Sequence, residues 1–197
     1  IDKDKLARVV LKDMVQPAGG FLPPGLPGHN PDLKPLPFDP VKARELLEAS
    51  SYGGVERLPA ITFTTSGEGG PSSGLDSAIL QEIHVNLGVE FRIRQLASEI
   101  YFYRLEEEKD NLFDFGWIAD YPDPQNFLDI LFHSGSQHNN GEYANPGLDV
   151  LLKEARVEPD HEKRLRLYQD IEQSLVDDAA AIPLWFGQDY LLIKPYV

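Results

Sequence analysis

The sequence predicts an α/β fold, a mixed sheet joined by helical crossovers, and three observations carry that prediction. Between residues 61 and 118, short apolar runs and helically spaced apolar residues follow one another in the order β-α-β-α-β, the order that a sheet with crossover helices requires. Gly53-Gly54, Gly67 to Gly70 and Gly88 stand where one periodicity gives way to the next. The 197 residues, 42% hydrophobic and 25% charged, suffice to bury a sizeable core.

Asp2 is placed to cap a first helix in which Leu6, Val9, Val10 and Met14 share one face. Residues 16–38 form a Pro/Gly-rich irregular segment whose composition forbids helix and ladder, and loops of this length are functional or packed on another element. Asp39-Pro40 restarts a helix as cap and first residue, with Ala43, Leu46 and Leu47 on its buried stripe, and Tyr52-Gly53-Gly54 stops it. A strand at Ile61 to Thr65 leads through a glycine-rich loop into a helix marked by Leu75, Ile79, Leu80, Ile83 and Leu87. After Gly88, Val89, Phe91 and Ile93 alternate with Glu90, Arg92 and Arg94 as a half-buried strand. A helix from about Ser98 to Lys109 and a third strand from Phe113 to Ile118 follow. The last third is helical. Leu148, Leu151, Leu152 and Ala155 mark one helix, and Leu165, Tyr168, Ile171 and Leu175 mark a longer one opened by Pro159-Asp160. A final extended stretch from Ile182 to Ile193 is expected to return to the sheet.

Composition removes whole classes of function. With no cysteine, a disulfide scaffold, a thiolate zinc site and a cysteine nucleophile are excluded. A formal charge of −14 argues against nucleic acid, since neutralising phosphates needs a cationic face, and favours cationic partners. No run approaches a membrane span, and IDKDKLARVV is not a signal peptide. A chain that begins at Ile1 is expected to be a piece of something larger.

Most candidate chemistry fails on inspection. The loop Thr65 to Ser72 sits between strand and helix, where phosphate-cradling loops sit, yet it lacks the Gly-Lys-Ser/Thr ending, has Ser72 where a third glycine is needed, and carries Glu68 where phosphate would lie. His29, His84, His133, His138 and His161 have no metal-ligand spacing, and no G-x-S-x-G elbow occurs. Glu106-Glu107-Glu108 reads as a solvated helix face, and Asp120 and Asp123 read first as turn residues beside prolines. We therefore expect no catalytic residue, no metal and no cofactor.

The segment Asp114 to Phe132, DFGWIADYPDPQNFLDILF, is the exception. It delivers an aromatic, Trp117, and an acid, Asp120, to the end of the third strand, and ligands of open α/β sheets sit beyond strand carboxyl ends. Two readings stay open on these residues. Trp117 is core and Asp120 caps the following turn, or Trp117 walls a pocket and Asp120 pairs with a cation.

GWIADYPDP resembles the second-lobe signature of extracellular solute-binding proteins of the oligopeptide- and dipeptide-binding family. The likeness runs nearly end to end. IDKDKLARVVL, FLPPGLPGHNP, FDPVKARELLEAS, the strand entry Leu87 to Arg92, GWIADYPDPQNFLDILF, the helix start Asn145 to Asp149, and Ala181-Ile182-Pro183-Leu184 keep the family's order and spacing. The family's chain is longer and has a first lobe that closes on this one. The resemblance thus implies that residues 1–197 are a single ligand-binding lobe of a two-lobed periplasmic-binding-protein-like fold. It implies a receptor for an ABC-type importer that works outside the cytoplasm, periplasmic or at the cell surface, with a lipid anchor on the parent left open. Its implied partners are a peptide or other small solute, the missing first lobe of the same parent and the importer's membrane subunits. Asp120 would salt-bridge the peptide's α-ammonium, and Trp117, Ile118 and Ala119 would line the cleft, with backbone groups near Ile118 pairing with the ligand. Tyr121 and Phe127 would support the loop. A nickel chelate, a sugar or an opine is the alternative ligand within the family, and a phosphate- or nucleotide-using α/β enzyme built on Gly67 to Gly70 is the alternative outside it.

Overall fold

The computed structural model describes every residue except 190, 195 and 197. Its parallel sheet has the order β3-β2-β4, with β2 (Ile61–Ser66) central, β3 (Phe91–Leu96) on one side and β4 (Leu112–Phe113) on the other. β2 and β3 pair over their full length, Ile61 opposite Phe91 through Ser66 opposite Leu96. The crossovers are α3 (Gly74–Leu87) and α4 (Tyr101–Glu108). Ser73 Oγ accepts from Asp76 N at the start of α3, and Gly88, at φ 74°, closes its other end in the left-handed conformation that glycine adopts without a Cβ penalty.

A second, two-stranded ribbon pairs β1 (Val15–Pro17) antiparallel with β5 (Trp185–Gly187). The chain thus contains both strand orientations, but in separate sheets. The pairing reaches two residues into the Pro/Gly-rich segment, which a ribbon tolerates because Pro17 sits where an edge position needs no N–H. It also corrects the expected fate of Ile182 to Ile193. Only residues 185–187 pair, and with β1 rather than the parallel sheet, while Leu191 to Ile193 are exposed; residue 190 lies outside the described residues.

The largest core is helical. Leu128, Leu152, Ala155, Tyr168, Ile171 and Leu175 are fully enclosed where α5 (Gln125–Phe132), α6 (Pro146–Val157) and α7 (His161–Asp177) meet, and Leu22 from the Pro/Gly-rich segment completes them. Asn145 and Asp160 cap α6 and α7 through their side-chain oxygens, as their positions before the apolar runs dictate. The long segment is held down at two points. Glu172 Oε1 accepts from Phe21 N and Leu22 N at 2.7 Å each, and Gly28, at φ 86°, lies so close to Pro124 and Leu165 that a Cβ would meet Pro124 at 3.3 Å.

Four expectations need correction. The first helix is a single capped turn, α1 (Lys3–Lys5), that widens into a π-helical turn at Leu6–Val10, so that Leu6 and Ala7 are buried while Val9 and Met14 point to solvent. α2 (Pro40–Ala49) forms where expected, with Asp39 accepting from Lys42 N, but buries no residue and leaves Leu46 exposed. Ile93 is exposed, because the alternation in β3 shifts toward its end and buries Leu96. The third strand stops at Phe113, five residues early, because its only neighbour is β2 and the last bond across them is Asp114 N to Thr64 O at 3.4 Å. Residues 114–119 continue without regular structure.

Candidate ligand-binding site

Residues 114–120 leave the parallel sheet and cross to the helical core, where Trp117 and Ala119 pack against it. One buried side chain fixes this crossing. Asn126, on the first turn of α5 and fully enclosed, accepts through a single Oδ1 from Trp117 Nε1 at 2.9 Å and from Asp120 N at 3.2 Å. The backbone groups of residues 115–119 have no hydrogen-bond partner among the described residues. Ile118 projects from this stretch 91% exposed.

The four acids of this region separate into three that are engaged and one that is not. Asp114 accepts from the Tyr101 hydroxyl at 2.8 Å, a contact that with burial drives the phenol's pKa upward. Asp129, buried in α5, receives two bonds from Arg156. Asp123 takes Arg164 in bidentate fashion at 2.7 and 2.8 Å and also caps α5 by accepting from Gln125 N at 2.9 Å. Burial alone would raise the Asp123 carboxyl, but these bonds outweigh it and hold the group below the usual carboxylate range. Asp120 is exposed, and among the described residues no side chain or backbone donor reaches its carboxylate. Of the two readings left open by the sequence, capping is therefore performed by Asp123. Trp117 is half-buried, with its ring against the core and its indole N–H on Asn126, so it serves the fold whatever else it does.

Tyr121 turns toward α5. Its hydroxyl donates to Gln125 Oε1, and it lines a cavity of about 350 Å³ with Asp123, Gln125, Arg156 and Arg164, whose two guanidinium groups are both already paired. Phe127 is buried in the helical core.

The glycine-rich loop is filled by its own chain. Gly67 N donates to Leu96 O, Gly69 N to Gln95 Oε1, and Glu68 accepts from Ser98 N. A Cβ at Gly67 would lie 2.5 Å from the end of the Gln95 side chain, so the space above this glycine is taken up by Gln95. His29 Nδ1 lies 2.8 Å from Leu22 O, and because a carbonyl only accepts, Nδ1 carries the proton. Among the described residues no three His, Asp or Glu side chains are arranged to hold a metal ion, and no helix is long and apolar enough to cross a membrane.

Sequence reasoning missed Asn126, whose signal is a lone amide on the apolar run NFLDILF. It also missed the rings brought to Trp117 from elsewhere, Phe102 on α4, Phe115 and His138.

Comparison with known proteins gives these residues a context. Residues 1–139 match the sequence model described as "Bacterial extracellular solute-binding proteins, family 5 Middle". The dipeptide-binding protein DppE of Bacillus subtilis is 30% identical over 198 residues, covering 94% of this chain and 35% of that protein. A probable di/tripeptide-binding protein 5 of Pseudomonas aeruginosa is 27% identical, covering all of this chain and 37% of that one. The periplasmic binding protein DppA of Helicobacter pylori, solved with the peptide STSA, superposes with a TM-score of 0.83 at 25% identity over 95% of this chain and 36% of its own. The chain thus spans little more than a third of the length of the relatives it matches.

Proposed function

Since the chain belongs to the bacterial extracellular solute-binding proteins of family 5, a family of binding proteins and not of enzymes, we propose that it is one wall of a peptide receptor. A second lobe, outside these residues, closes on it to hold the ligand with no chemistry, and the loaded receptor delivers the peptide to the membrane subunits of an ABC-type importer from the periplasm or cell surface. Asp120 binds the peptide's α-ammonium, and Trp117, Ile118 and Ala119 line the cleft, with Tyr121 at its edge.

The observation that carries this reading is that, among the described residues, Asp120 has a carboxylate without a partner on a backbone bonded to Asn126, beside Asp114, Asp123 and Asp129, which are all engaged. A buried ammonium needs an anion without a competing partner, and the bond strengthens once closure removes water. The backbone of residues 115–119, unpaired among the described residues, adds a mode of recognition independent of ligand sequence, since main-chain hydrogen bonds suit any peptide.

The test is calorimetric titration of the full-length protein with a short peptide and its N-acetylated twin, for the native protein and for Asp120→Asn. Binding that is lost both on acetylation and on substitution is the expected result. Equal affinity for the two peptides, or an Asp120→Asn protein that binds normally, refutes the role given to Asp120.

A further inference from the structure

The rings around Trp117 form a surface that the core does not account for. Phe102 lies 5.5 Å from Phe115 and 6.3 Å from Trp117, at interplanar angles of 27° and 24°, and Phe115 lies 6.0 Å from Trp117 at 20°. His138 closes the far end, its ring 5.4 Å from that of Trp117. The three centroids form a near-equilateral triangle of nearly parallel rings from two separate segments, each pair offset as aromatic quadrupoles favour. Yet the stack is accessible. Phe102 is 44% exposed, and neither it nor Phe115 is among the buried residues that form the core.

The stack and Asp120 share one reference point. Asn126 Oδ1 accepts from the indole of Trp117 and from the backbone N–H of Asp120, so the ring and the backbone that carries the carboxylate are tied to the same atom. A peptide anchored at Asp120 therefore starts beside these rings and runs past them within its first residues.

We propose that the Phe102–Phe115–Trp117 stack selects peptides with an aromatic side chain near the amino terminus, which adds one more ring to it. This rests on the peptide reading above, and it names the side chain that the site prefers. Flat geometry matters more than apolar bulk in such a seat. An aromatic ring gains from the facing quadrupoles, whereas a saturated ring of equal size gains only from burial.

The probes are tripeptides of alanine in which phenylalanine or cyclohexylalanine occupies the first, second or third position, titrated into the full-length protein. At one position phenylalanine is expected to bind about 2- to 10-fold more tightly than cyclohexylalanine. That ratio is expected to collapse to one in Phe102→Ala and in Phe102→Leu, the second of which keeps apolar volume without a ring face. The ratio, and not the affinity, is the readout, so a general weakening of binding does not mimic the result. A ratio of one at all three positions in the native protein, or a ratio preserved in both variants, overturns the proposal and leaves the rings as a packing surface. Tri-alanine and its N-acetylated form test the underlying reading separately. If tri-alanine binds and acetylation abolishes it, the peptide reading stands whichever way the ratio falls; if acetylation makes no difference, the anchor at Asp120 fails and the selectivity argued from it fails too.

Discussion

Replacing Asn126 by alanine removes the one oxygen that organises residues 117–120. Two bonds disappear, from Trp117 Nε1 and from Asp120 N, each worth about 0.5–1.5 kcal/mol net. The two losses are unequal. The Asp120 amide belongs to an exposed residue and regains water, whereas the indole N–H of half-buried Trp117 does not. Against this, the native Asn126 Nδ2 is itself buried without a partner, and the substitution removes that penalty. The net cost is therefore about 1–2 kcal/mol. For a slope of about 2 kcal/mol per molar urea this lowers the unfolding midpoint by roughly 0.5–1 M. These 197 residues hold two tryptophans, so in this fragment a Trp185→Phe background isolates the emission of Trp117, which is expected to shift to the red as the indole comes free. The affinity for a short peptide should fall with it, because Asp120 is then no longer fixed. An unchanged midpoint together with an unchanged Trp117 spectrum would refute the claim that Asn126 holds the site.

Four further outcomes follow from ion pairs, burial and exposure. Because the Asp123 carboxyl is held below its ordinary value, mainly by Arg164, the stability it contributes is present above the unfolded value near pH 4 and lost as pH falls through the lower folded one. Urea midpoints of Asp123→Asn should accordingly fall less than native between pH 5 and 3. Glu172 behaves in the opposite sense: burial raises its carboxyl, so its contribution is complete below about pH 4 and declines as pH rises through the folded value. Glu172→Gln keeps an acceptor for Phe21 N and Leu22 N and should flatten the decline between pH 5 and 8, whereas Glu172→Ala orphans both amides and should cost about 2–4 kcal/mol. Arg156→Leu leaves Asp129 buried with only a 3.5 Å contact from Gln125 Nε2, and a loss of about 3–5 kcal/mol is expected by thermal or chemical denaturation. The 197 residues alone should bind peptide far more weakly than the full-length protein in calorimetry, since a solvent-exposed pair at Asp120 is worth under about 1 kcal/mol.

Helices α2, α3, α6 and α7 were legible because their signals are local, whereas α1 is a single turn and α5 was not read as a helix. Asp39, Asn145 and Asp160 cap where their spacing to the apolar run requires, and Gly88 stops α3 where a left-handed residue is needed. The failures share a cause of the opposite kind. Whether Leu46 is buried or Phe113 continues as strand depends on what another part of the chain places opposite it, and no period in the sequence encodes that partner. β1 pairs with β5 across some 170 residues, and Glu172 reaches Leu22 across 150, so neither contact has a local signature. The candidate site lies between these extremes. The acid and aromatic of GWIADYPDP nominate it, but telling the engaged Asp123 from Asp120 required Arg164, 41 residues further on.

The engaged acids explain why a free one is tolerable beside them. Asp114, Asp123 and Asp129 each take a donor that lowers the local cost of negative charge, and two of these donors are guanidinium groups from α6 and α7. Asp120, being exposed, needs no partner for the fold, and among the described residues it holds none. What a receptor gains from this arrangement is an anion that is solvated when the site is open and becomes demanding when water is removed, because desolvation penalises an unpaired carboxylate far more than a paired one. Closure over an empty site is then unfavourable at Asp120, and closure over an ammonium is not. Under the proposed function, Asp120 would thereby make closure depend on the ligand's presence, provided that its backbone stays where Asn126 holds it.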